Sequence, residues 1–113
     1  MSSQAKTLVP KQNIAATVAV VYTSPAGGKG TYIDACDLVN HGGGTPTVTL
    51  SIVEDGGTLS DVNHQIIDKS ISHKATVPVS ELMGRYIAPG ATLHAVCSVA
   101  TTVSIYVTGR ELT

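Results

Sequence analysis

Thr47-Val48-Thr49-Leu50-Ser51-Ile52-Val53 puts Val48, Leu50 and Ile52 on one side of an extended chain and Thr47, Thr49 and Ser51 on the other. Successive side chains of a strand point to opposite faces, so a period of two describes a strand with one face buried and one wet. One wet face points to an antiparallel sheet, because a parallel sheet buries both. Glu54-Asp55-Gly56-Gly57 turns the chain after this strand, and Asn40-His41-Gly42-Gly43-Gly44 turns it before.

The same period recurs towards the C-terminus. Leu93, Ala95, Cys97 and Val99 alternate with Thr92, His94, Val96 and Ser98. Val103, Ile105 and Val107 alternate with Thr102, Ser104, Tyr106 and Thr108. The short link through Ala100-Thr101 predicts a hairpin between these two strands. The expected core is Val48, Leu50, Ile52, Leu93, Ala95, Val103, Ile105 and Val107.

Upstream, Thr31 to Val39 reads as a strand, but each face carries one acid, Asp34 or Asp37, and the alternation does not say which face is inside. Ser24-Pro25-Ala26-Gly27-Gly28-Lys29-Gly30 is a loop of turn formers. Ile14 to Tyr22 is a further strand, with Val18, Val20 and Tyr22 expected on one face. Downstream, a strand is expected over 64–72 around Ile66, Ile67 and Ile71. A short one over 76–79 is restricted to an edge or a strand end by Pro78, which has no N–H to donate. Ser80-Glu81-Leu82-Met83-Gly84 predicts one helical turn capped by Ser80 and stopped by Gly84, and Pro89-Gly90 is a turn. Seven to eight strands between turn signals, with no long helix, predict an all-β, antiparallel two-sheet sandwich, jelly-roll-like or immunoglobulin-like.

Composition agrees. In 113 residues there is no Trp or Phe, and Val and Thr, whose stiff β-branched side chains suit a pleated surface, are abundant. The length fits one domain, placed over 14–113. Residues 1–13 are polar and read as an extended arm, with Lys6, Pro10 and Lys11 as possible assembly contacts ordered only by a neighbour. With 7 basic and 8 acidic residues the chain lacks the basic footprint of a nucleic-acid binder. No secretory h-region begins the sequence, and no apolar run approaches the roughly 20 residues of a membrane span. Cys36 and Cys97 form no CxxC pair and are expected as buried free thiols.

Chemistry-bearing patterns are scarce. No two of His41, His64, His73 and His94 lie at a metal-clamp spacing, and no GxSxG elbow is present. The stretch from Glu54 to Asp61 has oxygen ligands without the DxDxDG order of a calcium loop. Asp34 and Asp37, three apart, are expected on opposite faces of their strand. Gly27-Gly28-Lys29-Gly30-Thr31 lacks the phosphate-loop spacing and precedes a strand, so no helix N-terminus faces a ligand. A non-enzymatic protein without catalytic, metal or cofactor residues is the expectation.

Four segments carry a resemblance. Val20-Val21-Tyr22-Thr23-Ser24-Pro25-Ala26-Gly27-Gly28-Lys29-Gly30-Thr31-Tyr32-Ile33 is the first. The second is Ala35-Cys36-Asp37-Leu38-Val39-Asn40, followed by Thr47-Val48-Thr49-Leu50-Ser51-Ile52. Ala88-Pro89-Gly90-Ala91-Thr92-Leu93 and Val103-Ser104-Ile105-Tyr106-Val107-Thr108-Gly109-Arg110-Glu111 complete it. In this order they resemble small virion proteins of tailed bacteriophages over residues 20–112, with Ala91 standing where that pattern has an acid. The resemblance implies a structural part of the head, neck or tail, made in the host cytoplasm and incorporated in the virion. It implies an oligomer, and the expected partners are other virion proteins and copies of itself, with a trimer the favoured state; the charge balance, hydropathy and lack of site motifs lead to an expectation of no nucleic acid, membrane or cofactor. The competing expectation is a receptor- or glycan-binding module of a phage fibre.

Overall fold

A strand with one apolar face is stable only against a second layer, and the chain supplies that layer by crossing repeatedly between two sheets. The computed structural model describes residues 2–113, Asp61 by its backbone alone. The described residues form β1 (Ser3–Asn13), β2 (Ala19–Thr23), β3 (Gly30–Asn40), β4 (Thr47–Val53), β5 (His64–Ser70), β6 (Thr76–Pro78), β7 (Tyr86–Ile87), β8 (Thr92–Cys97) and β9 (Val103–Leu112). Their only helical pieces are two 3-10 turns, Asp61–Asn63 and Ser80–Leu82.

The first sheet runs β1-β9-β3-β6, with β7 on the same side of β3 as β6 but further along it. The second runs β2-β8-β4-β5. All pairings are antiparallel. Apart from β4–β5 and β6–β7, each connection passes from one sheet to the other. With β6 and β7 sharing one strand position, both sheets are four strands wide and the path is that of a jelly roll. Of the two expected sandwich types, this is the one adopted.

The hairpin expected between the last two strands does not form. β8 is central in the second sheet and β9 central in the first, between β1 and β3. Their apolar faces, Leu93, Ala95 and Cys97 against Val103, Ile105 and Val107, lie on opposite walls of the core and are fully or almost fully buried. Placing both in one sheet would leave the other without a central strand. Of the remaining expected core, Val48 and Leu50 are buried, whereas Ile52 packs against the core only in part.

Of residues 1–13, expected to form an arm, Ser3–Asn13 are an edge strand of the first sheet, and Met1 lies outside the described residues. β1 pairs with β9 from Ser3↔Leu112 to Asn13↔Ser104. Register shifts around Leu8 and Val9 let these consecutive residues both be buried, so the segment has an apolar face that alternation does not reveal. Burying two such side chains stabilises by about 1.5–3 kcal/mol each.

Similar shifts explain two other departures. In β3 a shift between Ile33 and Ala35 changes phase at Asp34: Thr31 and Ile33 point inward before it, Cys36, Leu38 and Asn40 after it. Asp34 and Asp37 therefore share the outer face instead of opposing each other. In β2 a shift between Val20 and Tyr22 turns Tyr22 inward while Val18 and Val20 stay exposed. Near β6, the turn at Ser80–Leu82 starts from Val79 without a side-chain cap, and Gly84 takes the left-handed conformation at φ 79°. Pro78 ends β6 at the sheet edge, as its missing N–H requires.

Candidate assembly surface

Three of the four tyrosines stand on the outer face of the first sheet. Tyr86 on β7 is the register partner of Tyr32 on β3, which is in turn the partner of Arg110 on β9. The two rings are 5.2 Å apart between centroids and tilted by 51°. Arg110 lies 5.7 Å from the Tyr32 ring and donates through Nε to Asp34 Oδ1 at 3.2 Å. Tyr86 donates its hydroxyl to the Lys29 carbonyl at 2.9 Å, and its ring covers Gly30, whose φ of 108° and missing Cβ make that approach possible. Further along the face, Tyr106 is paired with Asp37 and carries Lys11 Nζ 5.4 Å from its ring centre. Tyrosine and arginine are the residue types that dominate protein interfaces, because they add large contact area with a polar end.

The expected contact residues Lys6, Pro10 and Lys11 all lie on β1. Lys11 stacks on Tyr106. Lys6 donates to Glu111 Oε1 at 3.1 Å. Pro10 is exposed.

Lys6 joins a polar cluster between the sheets at one end of the sandwich. Tyr22 of β2 donates to Glu111 Oε2 at 2.5 Å and shares a hydrogen bond with Thr31 Oγ1 at 2.9 Å; Thr31 meets Ser24 Oγ at 2.8 Å. Burial first, and then the bond to Glu111, push the Tyr22 phenol up to about 12. That bond, with Lys6 assisting against burial, holds the Glu111 carboxyl below its usual value. Each protonation state thus stabilises the other: a neutral phenol donating to an ionised carboxylate. This is a clasp across the two sheets, closed by side chains on both.

The histidines do not converge. His41 Nε2 meets Asn13 Oδ1, His64 Nδ1 meets Ser51 Oγ, His73 Nδ1 meets the Gly42 carbonyl, and His94 Nε2 meets Thr92 Oγ1, all at 2.7–2.9 Å. No group of three or more His, Cys, Asp or Glu that could hold a metal ion occurs among the described residues. Cys36 and Cys97 are free and buried, one in each sheet.

Compared with known proteins, the sequence matches no protein-family model and no curated protein. A solved structure described as the cyanophage Pam1 capsid asymmetric unit contains a similar chain. It is 16% identical, with 97% of this chain and 85% of that chain covered at a TM-score of 0.48.

Three of the four segments quoted for the sequence resemblance, the first, third and last, meet at the clasp end. Tyr22 of the first donates to Glu111 of the last, and Thr31 of the first is the register partner of Glu111. Ser24 N–H donates to the Ala91 carbonyl, and Gly90 N–H donates to the Ser24 carbonyl. Gly109 runs so close to Tyr32 that a Cβ there would collide with the Tyr32 carbonyl and the Leu8 side chain. The aromatic ladder Tyr86, Tyr32, Arg110 was not legible beforehand, because its members are far apart in sequence and only strand order makes them neighbours.

Proposed function

We propose that this protein is a structural component of a tailed-bacteriophage virion, which associates with copies of itself and docks on other virion proteins at the head, neck or tail. The observation carrying this reading is the ordered four-segment resemblance over residues 20–112, whose first, third and last segments meet at one end of the fold. The docking surface is the outer face of the first sheet around Tyr32, Tyr86 and Arg110, where aromatic and guanidinium groups sit together. Jelly rolls serve both capsid and lectin domains, so the fold is compatible with this role without selecting it.

The test is mass spectrometry of purified virions followed by a cryo-EM map of the particle. The expected result is the chain present at stoichiometric level, with density for a jelly roll whose first-sheet face contacts another virion protein. Absence of the chain from purified virions would overturn the reading.

A second reading follows from the same face. The Tyr32–Tyr86 pair beside Arg110 and Asp34 offers ring faces and hydrogen-bonding groups to a sugar. Binding to a glycan array, lost on Tyr86→Ala, would favour a receptor-binding module instead.

A further inference from the structure

Ile52 is the register partner of the buried Leu93 and belongs to the inner wall of the second sheet, yet it is only partly buried. It lines a cleft of about 560 Å³ between the outer edges of the two sheets. On one side β5, the edge strand of the second sheet, brings Gln65. On the other side β7, at the edge of the first sheet, brings Tyr86, with Arg85 just before it. The segment joining β4 to β5 adds Glu54 and Asn63. It opens with a turn closed by Gly57 N–H on the Glu54 carbonyl at 2.8 Å. This is the loop whose oxygen groups lack the order of a calcium site.

The polar groups of the cleft are held in place with donors and acceptors to spare. Arg85 Nε donates to the Glu81 carbonyl at 2.9 Å, which orients the guanidinium and leaves both Nη groups. Asn63 Oδ1 accepts from Ser60 N–H at 2.7 Å and Ser60 Oγ at 3.2 Å, which identifies the oxygen and leaves the NH2 as donor. The Tyr86 ring is fixed by its hydroxyl bond to the Lys29 carbonyl and by Tyr32, and is still 45% exposed. Among the described residues, the Glu54 carboxylate and the Gln65 amide have no hydrogen-bond or ion-pair partner, and Glu54 forms no ion pair with Arg85 across the cleft.

We propose that this cleft binds a neutral saccharide. A sugar hydroxyl donates and accepts at once, and planar carboxylate, amide and guanidinium groups can each engage two neighbouring hydroxyls. The Tyr86 ring and Ile52 offer apolar surface to the C–H face of a sugar ring. The charges select the class. Glu54 repels the phosphate or carboxylate that Arg85 would hold, and Arg85 repels the cation that Glu54 would hold, whereas hydroxyls satisfy both. The volume falls among small-molecule sites, roughly 300–1,000 Å³. This rests on the glycan reading above for its ligand class, and gives it a site other than the Tyr32–Arg110 face and a charge preference.

The test is an array of neutral and acidic glycans probed with the full chain, followed by amide-resolved NMR titration with the strongest-binding free neutral oligosaccharide. Neutral glycans are expected to bind, with shifts centred on residues 52–65 and on Arg85 and Tyr86. Arg85→Ala and Glu54→Ala, folded by circular dichroism, are each expected to weaken binding about tenfold, the loss expected on removing a charged hydrogen-bonding group. Glu54→Gln, which keeps the shape, is the milder variant and is expected to weaken it in the same direction. Arg110→Ala, on the outer face of the first sheet, is expected to leave binding unchanged. Binding that is lost on Arg110→Ala and indifferent to folded Arg85 and Glu54 variants overturns the inference and leaves the glycan reading standing. A response to acidic glycans alone also overturns the inference, and no binding at all overturns both. The virion reading is tested separately on particles.

Discussion

At the scale of single residues, the Tyr22–Glu111 clasp makes the fold sensitive to pH in both directions. The phenol is raised from 10.0 to about 12, so its contribution is whole below pH 10 and lost as the pH rises through about 12. Glu111 is lowered, so its contribution is whole above its usual value of 4.5 and lost as the pH falls through its folded value. Cys36, raised from 9.0 to about 12 by burial and then by the Asp37 charge, adds to the alkaline loss. Tyr22→Phe is expected to cost about 1–3 kcal/mol near neutral pH, because Thr31 and Glu111 each lose a buried partner. Measured by urea unfolding in a Cys36→Ala background, the same change is expected to flatten the decline in stability between pH 10 and 12. An alkaline decline as steep without the phenol would remove Tyr22 from this role. Such a cluster could not be read from sequence, since Tyr22 and Glu111 are 89 residues apart and glutamate is a type mostly found in water.

Among the strands, legibility followed the regularity of the ladder. β4 pairs with β8 in unbroken register from Val48↔Cys97 to Val53↔Thr92, and its apolar alternation identified the inner face correctly at Val48 and Leu50. Leu50→Ala is therefore expected to cost about 2–5 kcal/mol in denaturant unfolding, from lost transfer energy plus the cavity left behind. A loss under about 0.5 kcal/mol would mean that Leu50 is not packed as described. Where the ladder is irregular, period-two reading failed in a characteristic way. A single extra residue reverses every later side chain, so β3 showed mixed faces, β2 misassigned Tyr22, and β1 concealed Leu8 and Val9. Strand order was illegible for a different reason: β8 and β9 look like a hairpin at close range, and only competition for the two central positions places them in opposite sheets. For the aromatic face, Tyr86→Ala and Arg110→Ala are expected to reduce occupancy on particles several-fold while changing stability by less than about 1 kcal/mol, since Tyr86 and Arg110 are substantially exposed. Unchanged occupancy in a cryo-EM reconstruction would move the docking surface elsewhere.

For the molecule as a whole, the decisive question is whether β1 belongs to the fold or to its surroundings. An arm can be removed without affecting the domain behind it; an edge strand cannot. β1 pairs along nearly its whole length with β9, which is central to the first sheet. Its Leu8 and Val9 are buried at 6% and 0% accessibility, and Leu8 fills the space above Gly109 that any larger residue would close. Deleting residues 2–12 uncovers Val107 and Ile105 from that side and turns β9 into an exposed edge. The loss of Leu8 and Val9 alone is worth about 3–6 kcal/mol, a large share of the 5–15 kcal/mol that holds a typical domain together. At about 4–8 °C per kcal/mol, the truncated protein is expected to melt at least about 12 °C lower than the full chain, or to lose its cooperative transition altogether. Differential scanning calorimetry of the two proteins at matched concentration reads this directly. A truncated protein that melts cooperatively at the full-length temperature would return residues 2–12 to the status of an arm, and with it the view that Lys6 and Lys11 serve a neighbour before they serve this sheet.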